Sequence, residues 1–376
     1  MRKVLVAAAA AAVALSVLAA PVGARQGHNP LTGEGEGLKL INNIPWKGGT
    51  DMEFATIKGR DYAFAGSLAS VKDGGGLHVI DITNPEAAKE VAWLKCSVYQ
   101  NDIQISYDKK TVIMGVDTSA GPEGCLAVGQ LGFMTVDISN PTKPKPIGFA
   151  PIPRGSHNTT AHPTKPYVYN SDSDLANKGE IQIWSIKNPA KPVLVNSIIS
   201  VGHSPHDISF NKDGTLAVTA SVSHFDIFDT SDVENPVLMY ESQCPGCSIT
   251  HDAKFTPDGT GIVIGDEGGG GGGYPCPGGA LYFYDFSSGR VPVLTGIYEP
   301  NEFVFARDGQ TGPQGCTSHV FDFDDKGEHI SISWYSAGTR YLEIGDGVGA
   351  ALGDQNAGNV RQAAWFMPVG GVTWSS

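Results

Sequence analysis

Four histidines recur at one position of a repeated segment, and imidazoles brought together in that way suit a transition metal. The copies open His157-Asn-Thr-Thr, His206-Asp-Ile-Ser, His251-Asp-Ala-Lys and His319-Val-Phe-Asp. Each runs through a polar turn into a second apolar strand, at Tyr167-Val-Tyr, Leu216-Ala-Val, Ile262-Val-Ile and Ile330-Ser-Ile. Two earlier copies keep the frame without the ring, with Asn101 before Asp102 and Thr50 before Asp51. Neutral imidazole is the commonest protein ligand for zinc, copper, iron and nickel. His157, His206, His251 and His319 are therefore the candidate ligands of iron, copper or zinc, with His203 and Asn101 as supplementary candidates. A structural reading stands beside this one. Repeats also copy structural residues, and a histidine bonded to the backbone of the next unit would recur in the same place.

A second marker identifies the elements that must carry these rings. It reads His78-Val-Ile-Asp-Ile-Thr-Asn-Pro, Met134-Thr-Val-Asp-Ile-Ser-Asn-Pro, Ile183-Trp-Ser-Ile-Lys-Asn-Pro and Phe225-Asp-Ile-Phe-Asp-Thr-Ser-Asp, with a worn copy at Tyr282-Phe-Tyr-Asp-Phe-Ser. Alternating apolar runs bounded by Asn-Pro and Asp-Gly are strands and turns, not helices. Asp81, Asp137, Ser185, Asp229 and Asp285 hold the equivalent position 44 to 56 residues apart. Four strands in about 50 residues is the period of a β-propeller blade. These segments resemble the LVIVD-repeat family of β-propellers, with the Val-x-Asp-Ile-Ser-Asn-Pro strand and turn as the carrying motif. The resemblance covers nearly everything from about residue 38 onward and implies a fold, not an activity.

The expected architecture is all-β, with six complete four-stranded blades starting near Asp51, Asp102, His157, His206, His251 and His319. The segment Leu38 to Trp46 reads as the late strands of a partial seventh blade, and Val372 to Ser376 as its first strand. Together these segments fall short of four strands, so a truncated C-terminus and a six-blade ring with loose ends both fit. In a propeller the innermost strand lines the axial channel. The histidines should therefore ring the channel mouth, on the face carrying the long glycine-rich loops Asp117 to Gly132 and Asp266 to Gly279. Asp207 and Asp252 follow two of the histidines, but adjacent side chains on a strand point to opposite faces. They are expected to anchor blade to blade.

Residues 1–24 read as a secretory signal: Met1-Arg-Lys, an uncharged Ala/Val run over 4–20, and Val22-Gly23-Ala24 before the cut. Residues 25–376 then form a single propeller domain. It is expected as a monomer, secreted or on the exterior of the cell envelope, with no transmembrane span. A formal charge of −13 argues against nucleic acid, which needs a basic surface. The 48 glycines and 24 prolines suit many short strands joined by turns. Six cysteines in an exported chain point to disulfides. Cys96 with Cys125 is the expected bridge, and the preferred pairing of the rest is Cys244–Cys247 with Cys276–Cys316.

No G-x-S-x-G, Walker loop, H-E-x-x-H or paired-carboxylate motif appears. The four-histidine ring is similar in arrangement to those of carotenoid oxygenases and of the methanethiol oxidases called selenium-binding proteins, whose surrounding motifs are absent here. The expected function is binding of a metal or small ligand at the ring, sharpened to a metal-dependent oxidase or oxygenase. The alternative is a non-enzymatic extracellular scaffold that holds a protein or glycan.

Overall fold

The computed structural model describes residues 33–376 except 118–124, 173–178, 200–203, 269–278, 300–316, 345–359, 369–372 and a few single positions. Six antiparallel sheets follow one another along the chain, each adding its strands in sequence order. Blade 1 spans residues 49–94, blade 2 100–151, blade 3 158–199, blade 4 207–243, blade 5 250–298 and blade 6 321–368. The innermost strands are Gly49–Ile57, Gln100–Ile105, Asn158–Ala161, Asp207–Phe210, Thr250–Phe255 and Phe321–Phe323. Helix among the described elements is confined to 3-10 turns such as Val71–Asp73 and Pro85–Ala87. None is long and apolar enough to cross a membrane.

Second strands such as Thr111–Val116 and Gly261–Asp266 are buried along their whole length. Both faces of such a blade are covered, so the sequence reads as a continuous Val/Ile run and not as an alternation. Neighbouring blades share apolar layers, as where Phe64 and Val79 of blade 1 meet Ile103 and Met114 of blade 2. Val218 and Phe225 of blade 4 meet Ile264 and Tyr284 of blade 5 in the same way. Inner-strand carboxylates add polar clamps. The Asp51 carboxylate accepts from the Ile103 amide, Asp102 from the Thr159 amide at 2.6 Å and Asp252 from that of Phe321. Asp252 thus anchors the next blade as expected. Asp207 instead accepts from its own neighbour Ile208.

The described residues contain no seventh sheet, which corrects the expectation of a partial seventh blade. The strand Gly33–Glu36 pairs antiparallel with Val360–Pro368 and becomes a fifth strand on the outer edge of blade 6. An edge strand carries a row of unpaired amides and carbonyls, which gives that short segment its partner. Residues 38–46 form no sheet. Ile44 and Trp46 pack on Met52, Ala63 and Ile80 of blade 1, and Asn42 Nδ2 donates to the Ala88 carbonyl. The N-terminal segment therefore straps blade 6 to blade 1. At the other terminus Thr373 bridges to Tyr335. Ser375 Oγ lies 3.4 Å from Asp51 Oδ1, so this segment lies in the seam between blade 6 and blade 1.

Cys96 and Cys125 are paired, as are Cys244 and Cys247. Cys276 and Cys316 lie outside the described residues. The first bridge closes a sequence separation of 29 residues, which in a chain-entropy account stabilises the fold by about 3–4 kcal/mol. A Cys96→Ser/Cys125→Ser variant is expected to keep its β-sheet circular dichroism and to melt several degrees lower. An unchanged melting temperature would contradict this bridge, as would peptide mapping that joins Cys96 elsewhere.

Candidate functional site at the channel mouth

His157 and His206 stand immediately before the inner strands of blades 3 and 4, and His319 two residues before that of blade 6. Their amides donate to Ser171, Ala220 and Ser333 at 2.7–2.9 Å, each a carbonyl of the blade's own second strand. Equal register gives equal phase, so all three rings leave the backbone in one direction. His251 lies within its strand at a register shift between Thr250 and Asp252. A bulge of this kind re-aims a side chain, and the same irregularity recurs at the equivalent places in blades 1 and 2.

The four rings form an unbroken file. Centroid separations are 4.4 Å for His157–His206, 4.2 Å for His206–His251 and 4.2 Å for His251–His319. Their outer nitrogens are held from behind. His206 Nδ1 lies 3.0 Å from the His251 carbonyl, His319 Nδ1 2.7 Å from the Trp374 carbonyl and His157 Nδ1 3.2 Å from Asp117 Oδ2. Carbonyls and carboxylates only accept, so these contacts assign the proton to Nδ1 and leave Nε2 with a bare lone pair. His157 Nε2 and His206 Nε2 face each other at 2.9 Å. His251 and His319 form a second group with Glu267, whose potential ligand atoms all lie within 4.8 Å of one another.

Burial sets the protonation states. Desolvation, then repulsion from His157 and His319, holds His206 well below the ordinary imidazole value. His251 is depressed by burial and by the other three rings, and burial takes His319 down to about 4. All three are neutral and ligand-competent at physiological pH. Burial also pushes Glu267 up to about 7, while a hydrogen bond from Tyr335 Oη at 2.6 Å opposes that rise. His251 Nε2 is 3.7 Å from Glu267 Oε2, and His251 Nδ1 is buried with no hydrogen-bond partner.

The structure thus brings the four repeat histidines together. Asn101 opens the inner strand of blade 2 at the equivalent place, although its side chain is not among those described, and His203 lies outside the described residues. The other histidines are elsewhere. His162 is buried, with Nε2 facing the Gly214 carbonyl and Nδ1 accepting from the Thr164 and Lys165 amides. His78 is sandwiched between Trp46 and Trp93. Sequence reasoning missed Asp117, Glu267, Tyr335 and Trp374. Trp374 packs on His319 at 4.5 Å and on Tyr335 at 5.8 Å. Asp117, Glu267 and Tyr335 each lie sixteen residues after the histidine position of blades 2, 5 and 6, but they share no residue type, and Trp374 lies outside the six repeats.

Six four-stranded blades around an axial channel, with side chains from neighbouring inner strands meeting at one mouth, define a six-bladed β-propeller. The chain carries an LVIVD repeat: the LVIVD repeat family matches residues 124–148, which include the Met134–Pro141 marker. No curated protein matches the sequence at a significant level. Among solved structures it is similar to a functionally unknown protein from Desulfotomaculum acetoxidans, at 15% identity and a TM-score of 0.59, covering 85% of this chain and 90% of that one. It is also similar to a periplasmic gluconolactonase from Pseudomonas aeruginosa, at 11% identity and a TM-score of 0.58, covering 78% and 81%. Likeness at such identities is a likeness of fold alone.

Proposed function

We propose that this chain is an exported propeller whose histidine cluster binds a transition-metal cation, with metal-dependent oxidation or oxygenation of a small molecule as its activity. The contact between His157 Nε2 and His206 Nε2 carries the reading. Two lone pairs 2.9 Å apart repel unless a metal ion or a shared proton lies between them. Nitrogens at that separation and about 2.0–2.1 Å from one ion subtend an angle of about 90°. That is a cis angle of square-planar or octahedral coordination, which favours copper or iron over tetrahedral zinc. The Nδ1 contacts to carbonyl and carboxylate oxygens are the outer partners that fix tautomer and ring orientation around a metal. Glu267 adds an anionic ligand beside His251 and His319. A bound copper or iron would supply one-electron chemistry in a site these buried side chains keep poor in water.

Protein exported through its own leader and analysed for elements should carry about one equivalent of copper or iron. Correctly oxidised protein that holds none, and takes up none from added Cu²⁺, Fe²⁺ or Zn²⁺, would refute the reading. That outcome would favour a non-enzymatic scaffold for a protein or glycan. Exposed Val193, Leu194, Val237, Leu238, Val293 and Leu294 on the outer strands of blades 3, 4 and 5 support this second reading.

A further inference from the structure

A cavity of about 500 Å³ extends from His206, His251, His319 and Trp374 at one end to Phe54, Phe210 and Phe255 at the other. Four residues of strand separate those ends along each inner strand. Between them the position three residues after each histidine, or its equivalent, forms a polar belt: Glu53, Gln104, Thr160, Ser209, Lys254 and Asp322. The layer nearer the histidines contributes Asp51, Asp102 and Asp207.

These two layers hold five carboxylates against one ammonium, and that ammonium is already engaged. Lys254 Nζ donates to the Phe321 carbonyl and lies 3.5 Å from Asp252 Oδ2. Glu53 accepts from the neutral Gln104 amide at 3.0 Å. Repulsion follows from the crowding. Burial, then Asp51 and Asp207, raises the Asp102 carboxyl well above its ordinary value, and burial with Asp51 and Asp322 pushes Glu53 up to about 8. The cavity is short of positive charge.

An inorganic ion does not fit this lack. Calcium and magnesium need several oxygens converging on one point. Among the described residues no three of these carboxylates bring oxygens within 4.8 Å of one another; the sets that converge in that way are His251–Glu267–His319 and Asp324–Glu328–His329. The negative charge is instead spread over two layers two residues apart on the strands, about 6.6 Å. An extended organic dication with a four- or five-carbon spacer matches that spacing. The phenylalanine end supplies apolar and π surface for methylenes and ammonium groups, and Phe54 there stays 38% exposed. At the other end His251, 4% exposed, lines the cavity with an Nδ1 that lacks a hydrogen-bond partner.

We propose that the cavity binds an aliphatic diamine or polyamine, one ammonium on Glu53 and Asp322 and the next at the Asp51, Asp102 and Asp207 layer beneath His251. The ligand enters through the phenylalanine end, the face opposite the histidine mouth. Nothing in this site needs a metal at the histidines, so its test is run on full-length protein stripped with a chelator.

Calorimetric titration with 1,5-diaminopentane at pH 7.5 should give saturable binding below millimolar, while 1,5-pentanediol at equal concentration gives none. Glu53→Gln with Asp322→Asn should weaken the diamine at least tenfold. Gln104→Glu, which adds a carboxylate to the same belt, should tighten it and guards against a misfolded double variant. Three results would each overturn the proposal: no binding by the wild type, equal binding of the diol, or displacement of the diamine by millimolar Mg²⁺ at constant ionic strength.

Discussion

Alanine at His206 is expected to weaken metal binding by at least about 100-fold, measured by competition with a chromophoric chelator. His206 sits between His157 and His251 in the file of rings, and its Nε2 is one of the two facing lone pairs. Its removal abolishes that pair and frees the His251 carbonyl. His157→Ala, His251→Ala and His319→Ala should act in the same direction. Asp117→Asn should cost less, about 10–100-fold, because it removes only the group that orients His157. His329→Ala removes a ring of the second converging set, Asp324–Glu328–His329, and should leave copper or iron at the mouth unchanged, since that ring is paired with Asp324 and stacked on Tyr341. His162→Ala should also spare the metal, although losing its three backbone contacts lowers stability. If the four repeat histidines behaved like His329, they would be structural, and the oxidase reading would lose its residue-level support.

The chain announced its blades because a propeller repeats itself. Turn-forming Asn-Pro and Asp-Gly pairs and buried Val/Ile runs recur at one period, so strand order, inner-strand starts and the shared phase of the histidines could be read from spacing alone. The seam of the ring could not. There the contacts come from single-copy segments: Gly33–Glu36 on the edge of blade 6, Ile44 and Trp46 on blade 1, and Trp374 against His319. Leu38 to Trp46 is apolar enough to suggest strands, but it serves as a strap whose side chains fill a gap without pairing its backbone in a sheet. The site follows the same division. Its four imidazoles were visible because one residue type repeats, whereas Asp117, Glu267 and Tyr335, each sixteen residues after the histidine position of its blade, share a phase but no residue type. The belt of Glu53, Lys254 and Asp322 shares the histidine phase three residues on. It escaped notice because its residue types differ from blade to blade.

Glu53→Gln is expected to be more stable than the wild type at pH 8–9 and equal to it near pH 4. Burial, with Asp51 and Asp322 nearby, raises the Glu53 carboxyl from 4.5 to about 8 in the folded protein. The folded state therefore holds this proton more tightly than the unfolded state does. Stability from that proton is fully present below about 4.5 and is lost progressively as pH rises through 8. Glutamine keeps a neutral side chain beside Gln104 at every pH and removes the loss, a gain of a few kcal/mol on the alkaline side. Buried histidines act at the other end of the scale. Burial holds His162 and His319 down to about 4, so the unfolded chain binds the extra protons and both variant and wild type lose stability as pH falls from about 6.5 toward 4. Melting temperatures across pH 4–9 should therefore fall together on the acid limb and separate on the alkaline limb. Equal curves at pH 9 would mean that Glu53 titrates normally, in a cavity with no shortage of positive charge. If the curves do separate, the destabilising carboxylate is one that the proposed diamine site requires, and 1,5-diaminopentane should raise the wild-type curve toward that of the variant at high pH until the ligand itself loses its protons.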